Sequence, residues 1–201
     1  MLTTKVQVRN KMMYPYICED SAFNHVDLQK VIDVCEAAQL EDSKTVNGDK
    51  NNNIRISKSA FIHLDSVNSW VFYKLLDVME AANREFFGFD LIGFDYFQYT
   101  VYDKKGSHYD FHTDYLFNTV EPESPYNHLS RKLSVTFCLS DEDEFQGGEF
   151  EIMTSATNKH VVPQKKGRMI FFPSFAMHRI APIKKGVRKS IVIWGLGPAL
   201  R

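Results

Sequence analysis

Residues Phe94 to Asp114, FDYFQYTVYDKKGSHYDFHTD, decide the reading of this chain. The stretch opens with a period of two. Tyr96, Gln98, Thr100 and Tyr102 fall on one side, and Phe97, Tyr99 and Val101 on the other. Segments this rich in aromatic residues and threonine form strands. The stretch closes on His112-Thr113-Asp114. In a strand, residues i and i+2 point the same way, so His112 and Asp114 can grip one ion together. Two imidazoles and one carboxylate on one face make a common mononuclear metal site with open positions opposite. His178, on a later segment, is the candidate third ligand, with His160 as its rival. His108-Tyr109-Asp110 repeats the H-x-D spacing four residues earlier, so spacing alone leaves two registers open.

Downstream the period of two continues. In Leu133 to Ser140, Leu133, Val135, Phe137 and Leu139 make an apolar face, and Ser134, Thr136, Cys138 and Ser140 a small, mildly polar one. Such a strand suits the wall of a ligand-holding barrel. Further strands are expected at 148–153, 168–172 and 187–194, with turns at 141–146 and 163–167. Upstream the spacing is helical. Leu28, Val31, Ile32, Cys35 and Ala38 form one stripe behind the N-cap candidate Asn24. Val71, Leu75, Val78, Met79, Ala82 and Phe86 form a second, in a helix expected to start near Asp65–Ser66 and to end by Gly88. The expected class is α+β: a double-stranded β-helix, a cupin-like jelly-roll, with supporting N-terminal helices. The expected organisation is one domain over 1–201, with a helical support region at 1–93 and a jelly-roll core at 94–196.

Bulk properties narrow the function classes. The 201 residues are 44% hydrophobic, with 16 Phe and 9 Tyr, enough for a substantial core. A net charge of −1 supplies no global field toward nucleic acid or anionic membrane. Cys18, Cys35 and Cys138 are odd in number and widely spaced, which argues against a disulfide framework and for a reducing, cytoplasmic setting. No basic start followed by an apolar run marks a signal peptide, and no apolar stretch is long enough for a membrane span. The polar run Asn47 to Asn53 reads as an exposed loop. Composition leaves the oligomeric state open.

Five ordered blocks resemble a known family. Tyr102-xxx-Gly106-xx-Tyr109-xx-His112-x-Asp114 is followed by Leu133-Ser134-x-Thr136-xx-Leu139, then Gly147-Gly148-Glu149, then Phe172-Pro173-Ser174. His178-Arg179, Pro182 and the run Arg188 to Trp194 close the series. Together they resemble the prolyl 4-hydroxylase-like Fe(II)/2-oxoglutarate-dependent dioxygenases, over roughly residues 95–196. The resemblance selects His112 over His108, because Gly106 and Tyr109 then fall in register. It implies His112, Asp114 and His178 as the catalytic metal ligands, holding iron rather than zinc. Arg188 is then the anchor for the distal carboxylate of 2-oxoglutarate, since a guanidinium offers a planar two-pronged fork. Ser190 and Trp194 share the parity of Arg188, whereas Lys189 points away. Tyr102 matches a residue bordering the co-substrate, with Thr136 and Cys138 on the wall beside it. Some relatives carry Tyr in place of Cys138.

The resemblance implies an oxidoreductase that uses Fe(II), 2-oxoglutarate and O2, stimulated by L-ascorbate, and releases succinate and CO2. It implies hydroxylation of an unactivated C–H, most directly of a prolyl residue in a peptide or protein. The same chemistry on a free amino acid, small metabolite or nucleobase is an alternative reading, and a non-catalytic metal-binding jelly-roll is another. Tyr115 to Arg131 has the length of a lid. Lys104-Lys105, Lys165-Lys166 and Lys184-Lys185 are candidates for an entrance. The compact chain also resembles phage-encoded, and so viral, members of the family.

Overall fold

The computed structural model describes residues 14–44, 53–115 and 128–198. Strand β1 (Ile17–Glu19) leads into helix α1 (His25–Glu36), then β2 (Glu41–Asp42), β3 (Arg55–Ile56) and β4 (Lys58–His63). Helix α2 (Ser69–Ala82) follows and ends in a π-helical turn, Asn83–Phe87. The remainder is β: β5 (Tyr96–Tyr102), β6 (His108–His112), β7 (Leu129–Cys138), β8 (Phe145–Gly147) and β9 (Phe150–Met153). Then come β10 (Lys159–Val162), β11 (Met169–Pro173), β12 (His178–Ile180), β13 (Ile183–Gly186) and β14 (Arg188–Pro198).

A major sheet runs β1-β11-β7-β14-β5-β4-β2 and a minor sheet β10-β9-β12-β6-β3, with β13-β8 as a separate pair. The strand pairs are antiparallel. This is the double-stranded β-helix expected from the sequence, with α1 and α2 packed on the outer face of the major sheet.

The alternation along β5, β7 and β14 explains that arrangement. Phe97, Tyr99, Leu133, Val135, Phe137, Ile191 and Ile193 point outward and form one core with Val31, Cys35, Val71, Leu75 and Met79 of the helices. Their neighbours Gln98, Thr100, Tyr102, Thr136, Ser190, Val192 and Trp194 point inward to line a cleft. A smaller inner core of Phe145, Phe150, Ile152, Ile170, Phe172 and Ile180 fills the space beside it. One face of each strand therefore buys stability, and the other is free to carry chemistry.

The helix expectations hold with shifted ends. Asn24 caps α1, its side chain accepting from the Asp27 amide at 2.9 Å. Ala38 lies just past the C-cap Ala37. Helix α2 starts a few residues later than expected because Asp65 closes a turn first. Its Oδ1 accepts from the amides of Val67 and Asn68, both at 2.8 Å. Gly88 ends the helical segment with φ 72°, a left-handed position that glycine adopts without steric cost.

The expected helical support region at 1–93 needs correction. It also contributes strands to both sheets: β1 pairs with β11, β4 with β5, and β3 with β6. These segments are two to six residues long, too short for alternation to stand out. Two of them also place polar residues toward the cleft. The Asn47–Asn53 loop, and the lid expectation at Tyr115–Arg131, fall mostly outside the described residues. Among the described residues, no helix is long and apolar enough to cross a membrane.

Candidate active site

The metal-binding geometry is set by register. Strand β12 lies beside β6 with His178 directly opposite His112. Asp114 follows β6, its amide donating to the carbonyl of Ser174 at 2.9 Å, and the Tyr115 amide donates to the same carbonyl at 2.8 Å. Ser174 is tied in turn to β7 through a 2.9 Å bond between its hydroxyl and that of Ser134. One ligand atom from each of His112, Asp114 and His178 lies within 4.8 Å of the others.

Both imidazoles are held by their Nδ1 atoms, His112 to the carbonyl of Asp110 at 2.7 Å and His178 to that of Ala176 at 2.9 Å. Nδ1 donates in each case, so Nε2 presents a lone pair toward Asp114. His112 Nε2 lies 3.7 Å from Asp114 Oδ1, and His178 Nε2 lies 3.6 Å from Oδ2. These separations are too long for hydrogen bonds and suit groups that share an ion. Asp114 is 6% exposed, and its Oδ2 is buried without a hydrogen-bond partner. A carboxylate oxygen is left so only at a high cost, which a cation removes.

Electrostatics agree. Burial, reinforced by the neighbouring His178, pushes the pKa of His112 down to about 3, so its ring is neutral and free to ligate. Burial works to raise the Asp114 pKa, but His178, His112 and Arg131 together hold it below the usual carboxylate range. Two imidazoles and one carboxylate fit a divalent iron, nickel, copper or zinc ion on donor chemistry alone.

The rival residues stand apart. His108 Nδ1 is bonded to the carbonyl of Gly106 at 2.8 Å, and Asp110 lies near Arg179. His160 is exposed and meets Tyr16 edge-on.

Arg188, the expected anion anchor, is buried deeper. Arg188 is 0% exposed and sits opposite Tyr102 in the β14–β5 pairing. Its Nη1 donates to Ser190 Oγ and its Nη2 to Gln164 Oε1, both at 2.9 Å, while its Nε has no partner. Its guanidinium lies 5.5 Å from the Tyr102 ring centroid. No carboxylate of the described residues pairs with this buried cation, a cost that an anionic ligand would offset.

A cleft of about 1210 Å³ runs from His112, Asp114 and His178 past Tyr102, Thr136, Ser190 and Trp194 to β4 and the edge strand β2. Cys138 does not line it: its thiol turns to the carbonyl of Ser140, and burial raises its pKa. The lysine pairs do not line it either. Sequence reasoning missed four further residues. Tyr109 stacks on His112 with ring centroids 3.5 Å apart, and Arg55 lies 4.6 Å over the other side of Tyr109. Arg131 lies 3.8 Å from the Trp194 ring centroid, and Gln164 partners Arg188. Tyr109 was legible in the block pattern, but Arg55 lies in a two-residue strand far from any motif.

Antiparallel jelly-roll strands carrying two histidines and one carboxylate define a scaffold for a mononuclear metal centre. Residues 97–195 match the model of the 2OG-Fe(II) oxygenase superfamily and form a 2OG-Fe(II) oxygenase domain, in a chain with a prolyl 4-hydroxylase-like fold. It is 33% identical over 89 residues to a PKHD-type hydroxylase of Parvibaculum lavamentivorans, covering 44% of this chain and 38% of that one. It is 34% identical over 88 residues to a PKHD-type hydroxylase of Xylella fastidiosa (strain M23), covering 43% and 38%. The chain thus spans well under half the length of these curated relatives. Among solved structures, it is similar to a Pseudomonas putida prolyl-4-hydroxylase, with TM-score 0.66, 16% identity and 90% and 91% of the two chains covered. It is also similar to the viral collagen prolyl hydroxylase of Paramecium Bursaria Chlorella virus-1 in its 2OG complex, with TM-score 0.65, 19% identity and 92% and 97% covered. A Trichoplax adhaerens prolyl hydroxylase, solved with a hypoxia inducible factor peptide fragment, gives TM-score 0.70, 15% identity and 90% and 83% covered.

Proposed function

We propose that residues 1–201 act as one Fe(II)- and 2-oxoglutarate-dependent dioxygenase domain that hydroxylates an unactivated C–H, releasing succinate and CO2. The observation that carries this reading is the pairing of two unmet needs, one in the cleft and one directly behind its lining residues Tyr102 and Ser190. Asp114 Oδ2 is a buried acceptor facing two imidazole lone pairs, and Arg188 is a fully buried cation without a counter-charge. A metal chelated by 2-oxoglutarate answers both.

His112, Asp114 and His178 would hold the iron, with the backbone bonds to Nδ1 fixing each ring. When bound, iron with 2-oxoglutarate supplies the activation of O2 that C–H hydroxylation requires. Arg188 and Ser190 would take the distal carboxylate of 2-oxoglutarate, with Gln164 yielding or sharing its bond to Nη2. Tyr102, kept protonated by burial, would border the co-substrate, and Thr136 would form the wall opposite. Trp194, with its indole nitrogen buried and unpartnered, lines the same chamber and has a donor to offer a bound group. Cys138 would act only as packing behind Arg188.

The relatives' names and the solved neighbours support a prolyl residue in a peptide or protein as the prime substrate. Free thiols at Cys18, Cys35 and Cys138 support a reducing cytoplasmic setting. Ascorbate would sustain turnover. The test is succinate formation from 2-oxoglutarate with Fe(II), ascorbate and a panel of proline-containing peptides, with mass spectrometry of the peptide. The expected result is iron-dependent succinate matched by gain of one oxygen atom on a prolyl residue. Succinate with no peptide in the panel oxidised would overturn the prolyl assignment. Absence of succinate from metal-loaded, folded protein would overturn the oxygenase reading.

A further inference from the structure

Arg55 is an arginine of the cleft to which the proposed function gives no role. It is 7% exposed, yet it lines the cleft. Strand pairing sets it directly opposite Tyr109, and its guanidinium lies 4.6 Å from that ring, one ring away from His112. Its Nε donates to Ser57 Oγ at 2.9 Å and its Nη2 to Gln98 Oε1 at 3.2 Å. Both partners are neutral. Nη1 has no protein partner among the described residues, and no described carboxylate pairs with the group.

The charge around it is one-sided. Arg131 faces the same chamber, stacked on Trp194 and bonded to the Tyr96 hydroxyl at 3.4 Å. The acidic residues lining the cleft are Glu41, Asp42, Asp65 and Asp114. Asp114 is claimed by the metal site. The other three belong to β2 and the segment after β4, at the outer end, where Lys44 also lies. Arg131 has the Asp114 carboxylate to act on, whereas Arg55 stands beside the reacting position with no described carboxylate to meet it. Neutral hydrogen bonds satisfy a guanidinium's donors but not its buried charge, and a planar carboxylate satisfies both.

We infer that Arg55 is a specificity residue that receives a carboxylate of the prime substrate, so that substrates carry an acidic group close to the oxidised carbon. This inference rests on the oxygenase reading. The carboxylate comes either from an acidic side chain flanking the target in a peptide or from the main-chain carboxylate of a free amino acid.

The test compares proline-centred peptide pools that differ only in having Glu, Gln or Lys at the flanking positions, together with L-proline and L-prolinamide. Succinate formed above the no-probe background is measured for the unmodified protein, Arg55→Gln and Arg55→Lys. The Glu pool, or L-proline over its amide, is expected to give roughly tenfold or higher kcat/KM than its uncharged counterpart, as a charge-assisted bond implies. That ratio should fall to parity in Arg55→Gln and survive in part in Arg55→Lys. The ratio is internal to each variant, so a general loss of activity leaves it readable, and the unmodified protein alone tests the preference. A preference in the peptide pools assigns the carboxylate to a side chain, and one confined to L-proline assigns it to a free amino acid. Equal use of charged and uncharged probes overturns the inference, as does a ratio unchanged in Arg55→Gln or a lack of stimulation by every carboxylate probe. Those results with normal background succinate leave the oxygenase reading standing, whereas loss of the background itself strikes that reading.

Discussion

Replacing Arg188 with Met separates the two roles a buried cation can play. The guanidinium is fully buried, holds Ser190 and Gln164 by one hydrogen bond each, and leaves Nε unmet. Removing it orphans two neutral acceptors at about 1–3 kcal/mol each. It also relieves an uncompensated buried charge, a penalty of several kcal/mol after relaxation. The two effects oppose, so the ligand-free variant should unfold within a few degrees of the unmodified protein. The co-substrate complex behaves otherwise. Breaking a desolvated pair between guanidinium and carboxylate costs about 3–5 kcal/mol, or roughly two to three and a half decades in affinity. Calorimetric titration of 2-oxoglutarate into Mn(II)-loaded protein measures the second quantity, and thermal unfolding of the metal-free protein measures the first. The expected pattern is near-normal stability with dissociation at least a hundredfold weaker, roughly, and with ligand-induced stabilisation lost accordingly. An unchanged dissociation constant would refute the anchor. Collapse of the ligand-free fold would refute the charge argument.

Tyr109→Leu removes the ring stacked on His112 and should weaken Co(II) binding by roughly tenfold, the usual scale for groups that orient a metal ligand. Tyr109→Phe should stay near the unmodified value in the same spectroscopic titration, and equal behaviour of the two variants would deny the stack a role. Metal-free protein should lose stability as pH falls below about 6.5, where the unfolded chain's histidine takes up a proton, until His112 itself protonates in the fold at about 3. The sign follows because the unfolded state binds more protons across that window; a flat denaturation midpoint from pH 7 to 4 would contradict it. Gly186→Ala should destabilise by about 3 kcal/mol or more, since its φ of 81° suits glycine and an added Cβ would collide with the Glu144 carbonyl oxygen. Urea unfolding checks this, and an unshifted midpoint would show that the β13–β8 pairing tolerates a side chain.

Most of the catalytic face was legible because strand parity is a strong signal over long strands. Strands β5, β7 and β14 are seven to eleven residues long, and alternation sorts each into two rows, one that faces the helices and one that faces the cleft. The cluster of His112, Asp114 and His178 was legible from H-x-D spacing plus the ordered blocks, which favour His112 over His108. What escaped was short or buried deep. Strand β3 has two residues, too few for any period, yet it delivers Arg55. Cys138 has the parity of Thr136, but its thiol bends to the Ser140 carbonyl, and parity fixes a face rather than a rotamer. Gln164 lies in a turn between strands, where sequence signals the bend but not the partner. The start of α2 was misplaced because the Asp65 side chain competes with the helix for the backbone amides that follow it.

The most direct test of the metal and co-substrate account is anaerobic addition of Fe(II) and then 2-oxoglutarate to the purified chain, followed by visible absorption, with His178→Ala alongside. The account predicts a weak metal-to-ligand charge-transfer band that needs both additions and is missing from the variant. Folded, iron-loaded protein that develops no such band with 2-oxoglutarate, or a band that persists in His178→Ala, would contradict it.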